Sequence, residues 1–573
     1  MGSDMKNIEN KNKIIFLAGM ITGLVIFIAI YGVEILNVTN DSLIINGYIE
    51  KDISQHYIGW MLYRNSPWQF PLGVGSNIAY PYGSAVSYTD SIPLVAIIFK
   101  ILRGILPATF QYFGLFVLIC FMLQGGFGAL LTSLFKNDIM VDCFAAAVFV
   151  LSPVMVERAF RHCALTAHFL ILASAYYYLK NKGRTDFKAV LPFYIINGLA
   201  ITIHPYFLPF TFGIMFAFCV ETFFLQKKYL SSAGYVLGSI VCTLTLGHII
   251  GAFFVGGSMS STGYGQFSMN LNALYNPISR GFDNWSAVLE IKPNILYQIE
   301  GFNYLGLGVL LFIPVAVIIY LIRYKTEIVS RAILFAKNYF GIIFSTMALL
   351  IFAIGDWITF GGLKIFRLPI PESLIYGIFG IFRANGRFGW LLVYAIVIFI
   401  VYAVVTVPKE KAAVLLFGVL LFVQIFDMRG VLTSKHCYFT GHNGDIQGQN
   451  VKYILQNPFW DIAAEEFDTV YRTYEPVNNT CIEIAQKFAE QGKQVNTAFE
   501  ARVNHDAFAA LSAKLYNDIT DGSLEKNSLV LFTELNDDIT AAAETYGYTV
   551  ALIDNIYVVF NNNNMTAIIN NVR

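Results

Sequence analysis

Long apolar runs that are almost free of charge recur along the first three quarters of this 573-residue chain, and they restrict its fold more than any other feature. A run of about 17 or more such residues can cross the hydrocarbon core of a bilayer as a helix. Across the chain 56% of the residues are hydrophobic and only 13% are charged, which is far more apolar than is usual for a soluble protein. The sequence therefore predicts a mainly helical, polytopic membrane protein.

These runs predict eleven transmembrane spans. The spans cover residues 14–36, 109–135, 139–155, 165–179, 189–203, 206–225, 230–255, 304–322, 338–355, 388–407 and 412–428. The apolar segment 91–106 is left out because it is short and carries Lys100 and Arg103. We expect it to form an interfacial or re-entrant helix at the outer face.

The positive charges orient the spans. When Lys6, Lys11 and Lys13 are placed inside, every loop that is dense in Lys or Arg falls on the cytoplasmic side, as the positive-inside rule requires. The C-terminal region then lies outside. The wide outer loops are 37–108, 256–303 and 356–387.

Three regions are expected along the chain. Residues 1–13 combine a cloning remnant before Met5 with a cytoplasmic N-terminus, and residues 14–429 form the membrane domain. From 430 to 573, 9 Lys and Arg stand against 18 Asp and Glu, and short β-rich runs alternate with helical stretches. This pattern predicts an extracytoplasmic α/β domain of Rossmann-like type with a hairpin turn at Asp554-Asn555. It has no glycine-rich phosphate motif, so no nucleotide is expected there.

The first outer loop holds an acidic residue with polar neighbours at helical spacing. If a helix follows, Gln55 and His56 return to the side of Asp52 at i+3 and i+4. A carboxylate in this place can accept the proton of a hydroxyl nucleophile. The same Asp-x-x-Gln pattern is also a helix N-cap, and spacing does not separate the two roles. Asp90, further along the loop, is expected to cap the segment 91–106.

A first group of charged residues lies at the predicted outer end of a span. Glu157 and Arg161 are four residues apart, as are Arg158 and His162, and His168 follows. Charged groups near the hydrocarbon are costly unless they are used or paired. The group can hold a phosphate, since Arg offers two parallel donors to phosphate oxygens, or it can form a structural ion pair.

A second group contains Arg383 and Arg387, at the outer entrance to a later span. Two arginines on the outer side run against the charge bias of the chain. Their partner is either a specific anionic lipid headgroup or the phosphate of ordinary lipid, reached by snorkelling.

Three further residues are candidates for the site. Glu300 follows a long outer loop and can be a second catalytic acid, an aid to sugar binding or a charge at a helix N-terminus. Asn303 is expected to bind substrate. His204, at a tight corner before a proline, can be solvated, packed or substrate-facing.

Six short segments carry a family resemblance. They are Asp52-x-x-Gln55-His56-Tyr57-x-Gly59-Trp60, Tyr88-Thr89-Asp90-Ser91-Ile92-Pro93, Arg158-x-x-Arg161-His162-x-Ala164-Leu165-x-Ala167-His168, Glu300-Gly301-Phe302-Asn303-Tyr304-Leu305-Gly306, Phe382-Arg383-Ala384-Asn385-Gly386-Arg387-Phe388 and Val495-Asn496-Thr497-Ala498-Phe499-x-Ala501-Arg502. With these segments the chain resembles the GT-C class of multi-spanning membrane glycosyltransferases, and more closely a bacterial GT-C-like family of unknown function. The resemblance covers nearly the whole chain.

The resemblance implies a sugar donor carried on polyprenyl phosphate and an active site on the extracytoplasmic face. It also implies an acidic general base in the first outer loop, a role that falls on Asp52. Members of the class often have a second acidic residue after the third span, which here is Glu157. An Asp-Asp or Asp-Glu pair is absent from that loop. Dependence on a divalent cation is therefore open, and Asp52 is the residue that would bind one.

We expect an inverting glycosyltransferase of the bacterial cytoplasmic membrane, acting on a cell-envelope glycan or another hydroxyl acceptor. The donor phosphate would be bound by Arg383 and Arg387, or by Arg158 and Arg161 with His162. Substrate contacts are expected from Gln55, His56, His168, His204 and Asn303.

The alternatives are a transporter, a flippase or a polymerase of lipid-linked saccharides. Transporters tend to show internal repeats and binding groups at mid-membrane, whereas the unusual polar groups here collect at one surface. The chain has no HExxH, paired CxxC or Walker-type motif, so neither zinc nor nucleotide hydrolysis is expected. The expected partners include the bilayer and no nucleic acid.

Overall fold

The computed structural model describes residues 2–46, 52–254, 263–279, 284–441, 454–475, 477–498 and 500–572. The chain divides into two compact units. The first, here named the helical unit, comprises Met1–Val38, Tyr112–Leu246 and Ser260–Gln447. The second, here named the α/β unit, comprises Thr39–Gln111, Gly247–Met259 and Gly448–Arg573. Parts of the predicted loop 256–303, namely 255–262 and 280–283, lie outside the described residues.

The described residues are mainly helical, as predicted. The helices are α1 (Gly2–Tyr31), α2 (Ser42–Asn46), α3 (Asp52–Asn65), α4 (Pro93–Ile101), α5 (Phe113–Ser133), α6 (Ile139–Val150), α7 (Pro153–Arg158), α8 (Phe169–Lys180), α9 (Phe187–Ile203), α10 (Leu208–Gln226), α11 (Tyr229–Ile249), α12 (Leu307–Tyr324), α13 (Ile328–Asn338), α14 (Phe340–Ile354), α15 (Glu372–Tyr376), α16 (Trp390–Val405), α17 (Glu410–Thr440), α18 (Phe459–Glu466), α19 (Asn479–Glu490), α20 (His505–Thr520), α21 (Asp537–Tyr546) and α22 (Asn563–Val572). The strands are β1 (Val74–Gly75), β2 (Ser84–Ala85), β3 (Trp357–Phe360), β4 (Leu363–Arg367), β5 (Thr469–Arg472), β6 (Gln494–Val495), β7 (Ser528–Phe532), β8 (Thr549–Ile553) and β9 (Ile556–Phe560).

Seven segments of the described chain are helical, long and apolar enough to cross a membrane. They are Asn10–Tyr31, Phe113–Ser133, Pro205–Gln226, Tyr229–Ile249, Leu307–Asn338, Asn385–Val405 and Glu410–Thr440. Each of them overlaps a predicted span. The chain is therefore a multi-pass membrane protein.

The remaining predicted spans contain shorter apolar helices, namely α6, α8, α9 and α14. They have 12, 12, 17 and 15 residues. A helix of 12 residues rises about 18 Å, whereas the hydrocarbon core of a bilayer is about 30 Å thick. The number of eleven spans accordingly stays a prediction.

Helices α1 and α5 approach each other through glycines of the helical unit. Gly19 and Gly23 are four residues apart on α1, a spacing that lets membrane helices come into close contact. A Cβ added to Gly125 of α5 would lie 2.2 Å from the carbonyl oxygen of Gly19. A Cβ added to Gly23 would lie 2.1 Å from the carbonyl oxygen of Phe121. Backbone therefore packs directly on backbone at this contact.

The charges in the segment 91–106 are used inside the α/β unit. Helix α4 has 9 residues, and its Lys100 is buried with Nζ 3.9 Å from the centre of the Tyr63 ring and 4.7 Å from that of Trp68. The Arg103 guanidinium donates to the carbonyl oxygen of Ser66 at 3.0 Å. These contacts fix the segment against the C-terminal end of α3.

The sheet of the α/β unit has five strands in the order β6-β5-β7-β9-β8. Strands β6, β5 and β7 are parallel, and β9 is antiparallel to both β7 and β8. Asp554 and Asn555 join β8 to β9 with φ of 46° and 64°. This is the left-handed pair that a type I′ hairpin turn requires, so the predicted turn is confirmed. The sheet is small and mixed, and its assignment as Rossmann-like stays a prediction.

The glycine contact between α1 and α5 yields a stability prediction. Gly125→Ala should destabilise the protein by about 1–3 kcal/mol, because the added methyl group forces the two backbones apart. Gly234→Ala is the matched control, since Gly234 also lies in an apolar helix but a Cβ there meets nothing within 4 Å. The control should be neutral or slightly stabilising. Thermal unfolding in detergent measures both, and equal midpoints would contradict the close contact.

Candidate functional site

The predicted site residues are divided between the two units. Asp52, Gln55 and His56 belong to the α/β unit. The others belong to the helical unit, and they are Glu157, Arg158, Arg161, His162, His168, His204, Glu300, Asn303, Arg383 and Arg387.

Five of the residues in the helical unit form one network of ion pairs, here named the arginine–glutamate cluster: Glu157, Arg158, Arg161, Glu300 and Arg387. Arg158 lies between the two carboxylates, with Nε 2.8 Å from Glu157 Oε2 and Nη1 3.3 Å from Glu300 Oε2. Arg387 Nη2 is 3.1 Å from the same oxygen of Glu300. Arg161 pairs with Glu157. The network brings together three segments that are far apart in the sequence.

Burial makes the cluster electrostatically unusual. All five residues are buried, and none is more than 8% exposed. Burial alone would raise the pKa of Glu157, but the charges of Arg158 and Arg161 outweigh it, and the pKa lies below its usual range. Burial lowers the pKa of Arg158, while Glu157 opposes that shift. Three guanidiniums face two carboxylates, so the cluster carries more positive charge and more hydrogen-bond donors than its own acceptors can use.

Glycines and one asparagine hold Glu300 and Arg387 in place. A Cβ added to Gly386 would lie 2.5 Å from Cα of Gly301, so only glycines allow these two segments to touch. Asn303 Nδ2 donates to the carbonyl oxygens of Gly301 and Gly386, at 2.8 and 2.9 Å. The amide nitrogen of Asn303 therefore braces the site, and its buried Oδ1 makes no hydrogen bond with the described residues.

A chain of hydrogen bonds sets the orientation of His168. The Gln124 amide nitrogen donates to the carbonyl oxygen of Phe149 at 3.2 Å and to the Tyr394 hydroxyl at 3.0 Å. That hydroxyl is 2.9 Å from His168 Nδ1. Because the hydroxyl accepts from Gln124, it donates its own hydrogen to Nδ1, and the neutral imidazole then carries its proton on Nε2.

Two buried donors lie beside the arginine–glutamate cluster. The His168 ring is stacked on Trp390, with ring centres 4.4 Å apart, and the Arg158 guanidinium is 5.9 Å from the centre of the Trp390 ring. His168 Nε2 and Trp390 Nε1 are buried and make no hydrogen bond with any described residue. The neighbourhood of Arg158 thus offers N–H groups that still need an acceptor.

Tyr206 connects His204 with Arg387 of the arginine–glutamate cluster. His204 Nδ1 accepts from the backbone N–H of Tyr206 at 3.2 Å, which is a local turn contact. The Arg387 guanidinium is 5.1 Å from the centre of the Tyr206 ring. Arg383 is half-buried, with its guanidinium 5.6 Å from the centre of the Phe267 ring, and it forms no ion pair with the described residues. The sequence predicts the same phosphate-binding role for Arg383 and Arg387, but only Arg387 belongs to the cluster.

In the α/β unit, α3 begins at Asp52, which confirms the predicted helix. Asp52 and Gln55 are half-buried, and His56 is buried. Helical spacing places Gln55 and His56 on the side of Asp52, as expected. The residues that precede the helix, 47–51, lie outside the described residues, so the capping interpretation stays open.

Asp90 does not cap the segment that follows it. Its carboxylate lies 3.8 Å from His56 Nε2, its φ is 55°, and the residue at the N-cap of α4 is Ile92. The expected cap is therefore wrong, because the left-handed turn at Asp90 directs the side chain towards α3. Histidine and aspartate are both common metal ligands.

Sequence reasoning missed four residues around these sites: Gln124, Tyr394, Trp390 and Asp41. The first is a lone amide within a long apolar run, which is the signal that could have identified it. Asp41 accepts from the Tyr57 hydroxyl at 3.0 Å. Burial raises the pKa of Asp41, and this hydrogen bond lowers it in part.

The cluster predicts a large effect of removing one carboxylate. Glu300→Gln removes the carboxylate charge that Arg158 and Arg387 share and should lower the free energy of unfolding by about 3–5 kcal/mol. The control is Asp186→Asn, which breaks a pair with Arg184 whose side chains are 49% and 47% exposed. That change should cost less than about 1 kcal/mol. Unfolding in detergent with a denaturant compares them, and equal losses would mean that water screens the cluster.

Comparisons with known proteins place the chain in a family. Among solved structures it is similar to the archaeal oligosaccharyltransferase AglB from Archaeoglobus fulgidus, solved in complex with an inhibitory peptide and a dolichol-phosphate. That match has a TM-score of 0.40 and 12% sequence identity, and it covers 95% of this chain and 74% of that chain. The comparison with curated proteins finds no match. The sequence model of a domain of unknown function, DUF6311, matches residues 20–429, and that of the DUF6311 C-terminal domain matches residues 459–561. The chain therefore belongs to the DUF6311 family.

Proposed function

We propose that the protein is an integral-membrane glycosyltransferase that moves a sugar from a polyprenyl-phosphate donor to an extracytoplasmic acceptor, with inversion. The observation that carries this proposal is the convergence of three buried arginines in the arginine–glutamate cluster. Three arginines and two glutamates are almost fully buried in a unit that is otherwise built from apolar helices. Charged groups in such surroundings are costly unless they are paired or used, and three guanidiniums in one network offer a binding site for an anion.

Phosphate fits this requirement better than other anions of a membrane. Each guanidinium presents a planar fork of donors that matches two phosphate oxygens. The buried N–H groups of His168 and Trp390 add neutral donors next to Arg158. Preset donors of this kind stabilise the negative charge that develops on a leaving phosphate.

The ion pairs favour a positioning role for Glu157 and Glu300. Glu157 has a lowered pKa and is held by two guanidiniums, which makes it a weak proton acceptor. Glu300 is also held by two guanidiniums. Asp52 lies in the first turn of α3 and, by the family resemblance, in the first outer loop, where the acidic general base of this class is expected. We therefore assign the general base to Asp52.

The proposed reaction is a single displacement at the anomeric carbon. The acceptor oxygen forms a bond to this carbon while the bond from the carbon to the phosphate oxygen breaks. The acceptor proton passes to the Asp52 carboxylate, and the lipid phosphate leaves with the bonding electrons. Arg387 and Arg161, at the edge of the cluster, are the guanidiniums we assign to the phosphate.

Donor binding is tested with a short-chain polyprenyl phosphate and the purified protein. Arg387→Gln should weaken binding about 10- to 100-fold, because it removes a charged hydrogen-bond donor worth roughly 1.5–3 kcal/mol. Arg429→Gln is the control, since Arg429 is exposed and, within the part of the chain that the structure describes, donates to the carbonyl oxygen of Phe426 in its own helix. Native mass spectrometry or thermal-shift titration gives the two affinities. Equal affinities in both variants would remove Arg387 from the phosphate site.

The base is tested by transfer from a panel of polyprenyl-phosphate sugars. Asp52→Asn should lower the rate of transfer about 10²- to 10⁴-fold, because the proton of the acceptor then has no carboxylate to receive it. Binding of polyprenyl phosphate should be unchanged, which separates loss of chemistry from loss of folding. Undiminished transfer would exclude Asp52 as the base. A lipid-linked sugar that crosses liposomes intact with the wild-type protein would favour a transporter.

A further inference from the structure

The role of the C-terminal domain can be argued from contacts inside the α/β unit. Residues 39–111, which hold α3, and residues 448–573, which hold the sheet, belong to the same compact unit. Strand β6 lies at one end of the strand order and pairs with β5. An edge strand exposes backbone donors and acceptors that can pair with another segment of chain.

The segment 77–80 of the first loop occupies this edge. Ile78 forms a parallel bridge with Val495 of β6. The Val495 N–H donates to the carbonyl oxygen of Asn77 at 3.1 Å, and the Tyr80 N–H donates to that of Val495 at 3.0 Å. The Asn77 amide nitrogen donates to the carbonyl oxygen of Gly492 at 3.2 Å. Ile78 and Val495 are both fully buried, so the loop adds a short parallel strand to the sheet.

This added strand is connected directly to α3. The N–H of Asn77 donates to the Ser66 hydroxyl at 3.1 Å, and that hydroxyl donates to the carbonyl oxygen of Leu62 in the last turn of α3 at 2.9 Å. At the end of the same helix, the Asn65 amide nitrogen donates to the carbonyl oxygen of Ala489 in α19 at 3.3 Å. The C-terminal end of α3 is therefore attached to the C-terminal domain at two points.

A further attachment reaches the N-terminal half of α3. The N–H of Ala501 donates to the carbonyl oxygen of Tyr88 at 2.8 Å. Three residues on, the Ser91 hydroxyl donates to the carbonyl oxygen of His56 at 2.6 Å. Val495 contacts the loop at Asn77 and Tyr80, and Ala501 contacts it at Tyr88. Both belong to the familial segment 495–502, of which Phe499 lies outside the described residues. The segment thus contacts the loop before and after the turn that returns to α3.

We infer that the C-terminal domain is the positioning element for α3: β6 takes residues 77–80 as an added parallel strand, and segment 495–502 fixes the helix that begins at Asp52. Asn77 is the central positioning residue because its side chain, N–H and carbonyl oxygen all take part. That this positioning places a catalytic base rests on the proposed function. That the C-terminal domain holds α3 in place does not.

Hydrogen–deuterium exchange of the full-length protein in detergent tests the mechanical claim. The double variant Asn65→Ala, Asn77→Ala removes the two asparagine side-chain hydrogen bonds to the C-terminal domain. It should raise the exchange rate of residues 52–65 about tenfold, since each lost hydrogen bond contributes roughly 1 kcal/mol. Exchange in β7 and β9 should stay as in the wild type, which shows that the sheet still folds. Asn527→Ala is the control, since its amide nitrogen contacts the exposed carboxylate of Asp468 in the same unit. It should leave residues 52–65 unchanged.

Two results would overturn the inference. Unchanged exchange in residues 52–65 would mean that the C-terminal domain does not hold α3. A uniform rise over the whole α/β unit would mean that the two asparagines only stabilise the fold.

Transfer assays separate this inference from the proposed function. If the protein is a transferase, the double variant should lower kcat while the KM for the donor stays constant, because the base is displaced and the phosphate site is intact. If the wild-type protein shows no transfer but the local rise in exchange is observed, the proposed function fails and the positioning role stands.

Discussion

The helical unit depends on the neutralisation of a guanidinium that water does not reach. Arg158 is 1% exposed, and moving such an ion out of water costs several kcal/mol even after the protein relaxes. Its contacts with Glu157 and Glu300 offset that cost only if both carboxylates stay in place. The C-terminal end of α7 and the segment around Glu300 must therefore stay together to keep this guanidinium neutralised.

Two other buried carboxylates of the same unit show how a carboxylate is paired when its role is structural. Asp427 accepts from the Tyr304 hydroxyl at 2.5 Å and from the N–H of Leu307, the first residue of α12, at 3.0 Å. Glu221 accepts from the N–H groups of Gly341 and Ile342 at the start of α14. In both cases a carboxylate stabilises a helix N-terminus, and donors and acceptors are matched. The arginine–glutamate cluster differs because three guanidiniums from two separate segments converge on two carboxylates, and these ion pairs among the described residues include no helix N-terminus, which is why it is the candidate site.

Local spacing predicted the parts of this arrangement that are local. The apolar runs predicted the membrane helices, and Asp554-Asn555 predicted a hairpin turn. The i,i+4 spacing offered an ion pair of Glu157 with Arg161 as one of two alternatives, and that pair is present. Contacts between distant segments had no such signal. Nothing near Glu300 in the sequence indicates that it meets Arg158 and Arg387, since that contact needs three segments to be folded.

The same limit explains the errors and omissions in the α/β unit. A capping role for Asp90 follows from its position before an apolar helix, but its left-handed backbone turns the carboxylate towards His56 instead. The pairing of residues 77–80 with β6 was not predicted because two residues of edge strand and a short loop carry no periodicity. Edge pairing is decided by which backbone groups are still unpaired after the sheet has formed.

The geometry of Glu300 bears on how an anion could enter a site that is already paired. Arg158 and Arg387 both contact the same oxygen, Oε2. If Arg387 turned to a phosphate, Glu300 would still be neutralised by Arg158, so no bare carboxylate would be left in the interior. The exchange of one partner for another then costs far less than breaking an isolated buried pair. Under the proposed function, this shared oxygen lets Arg387 turn to the donor while Glu300 stays paired with Arg158.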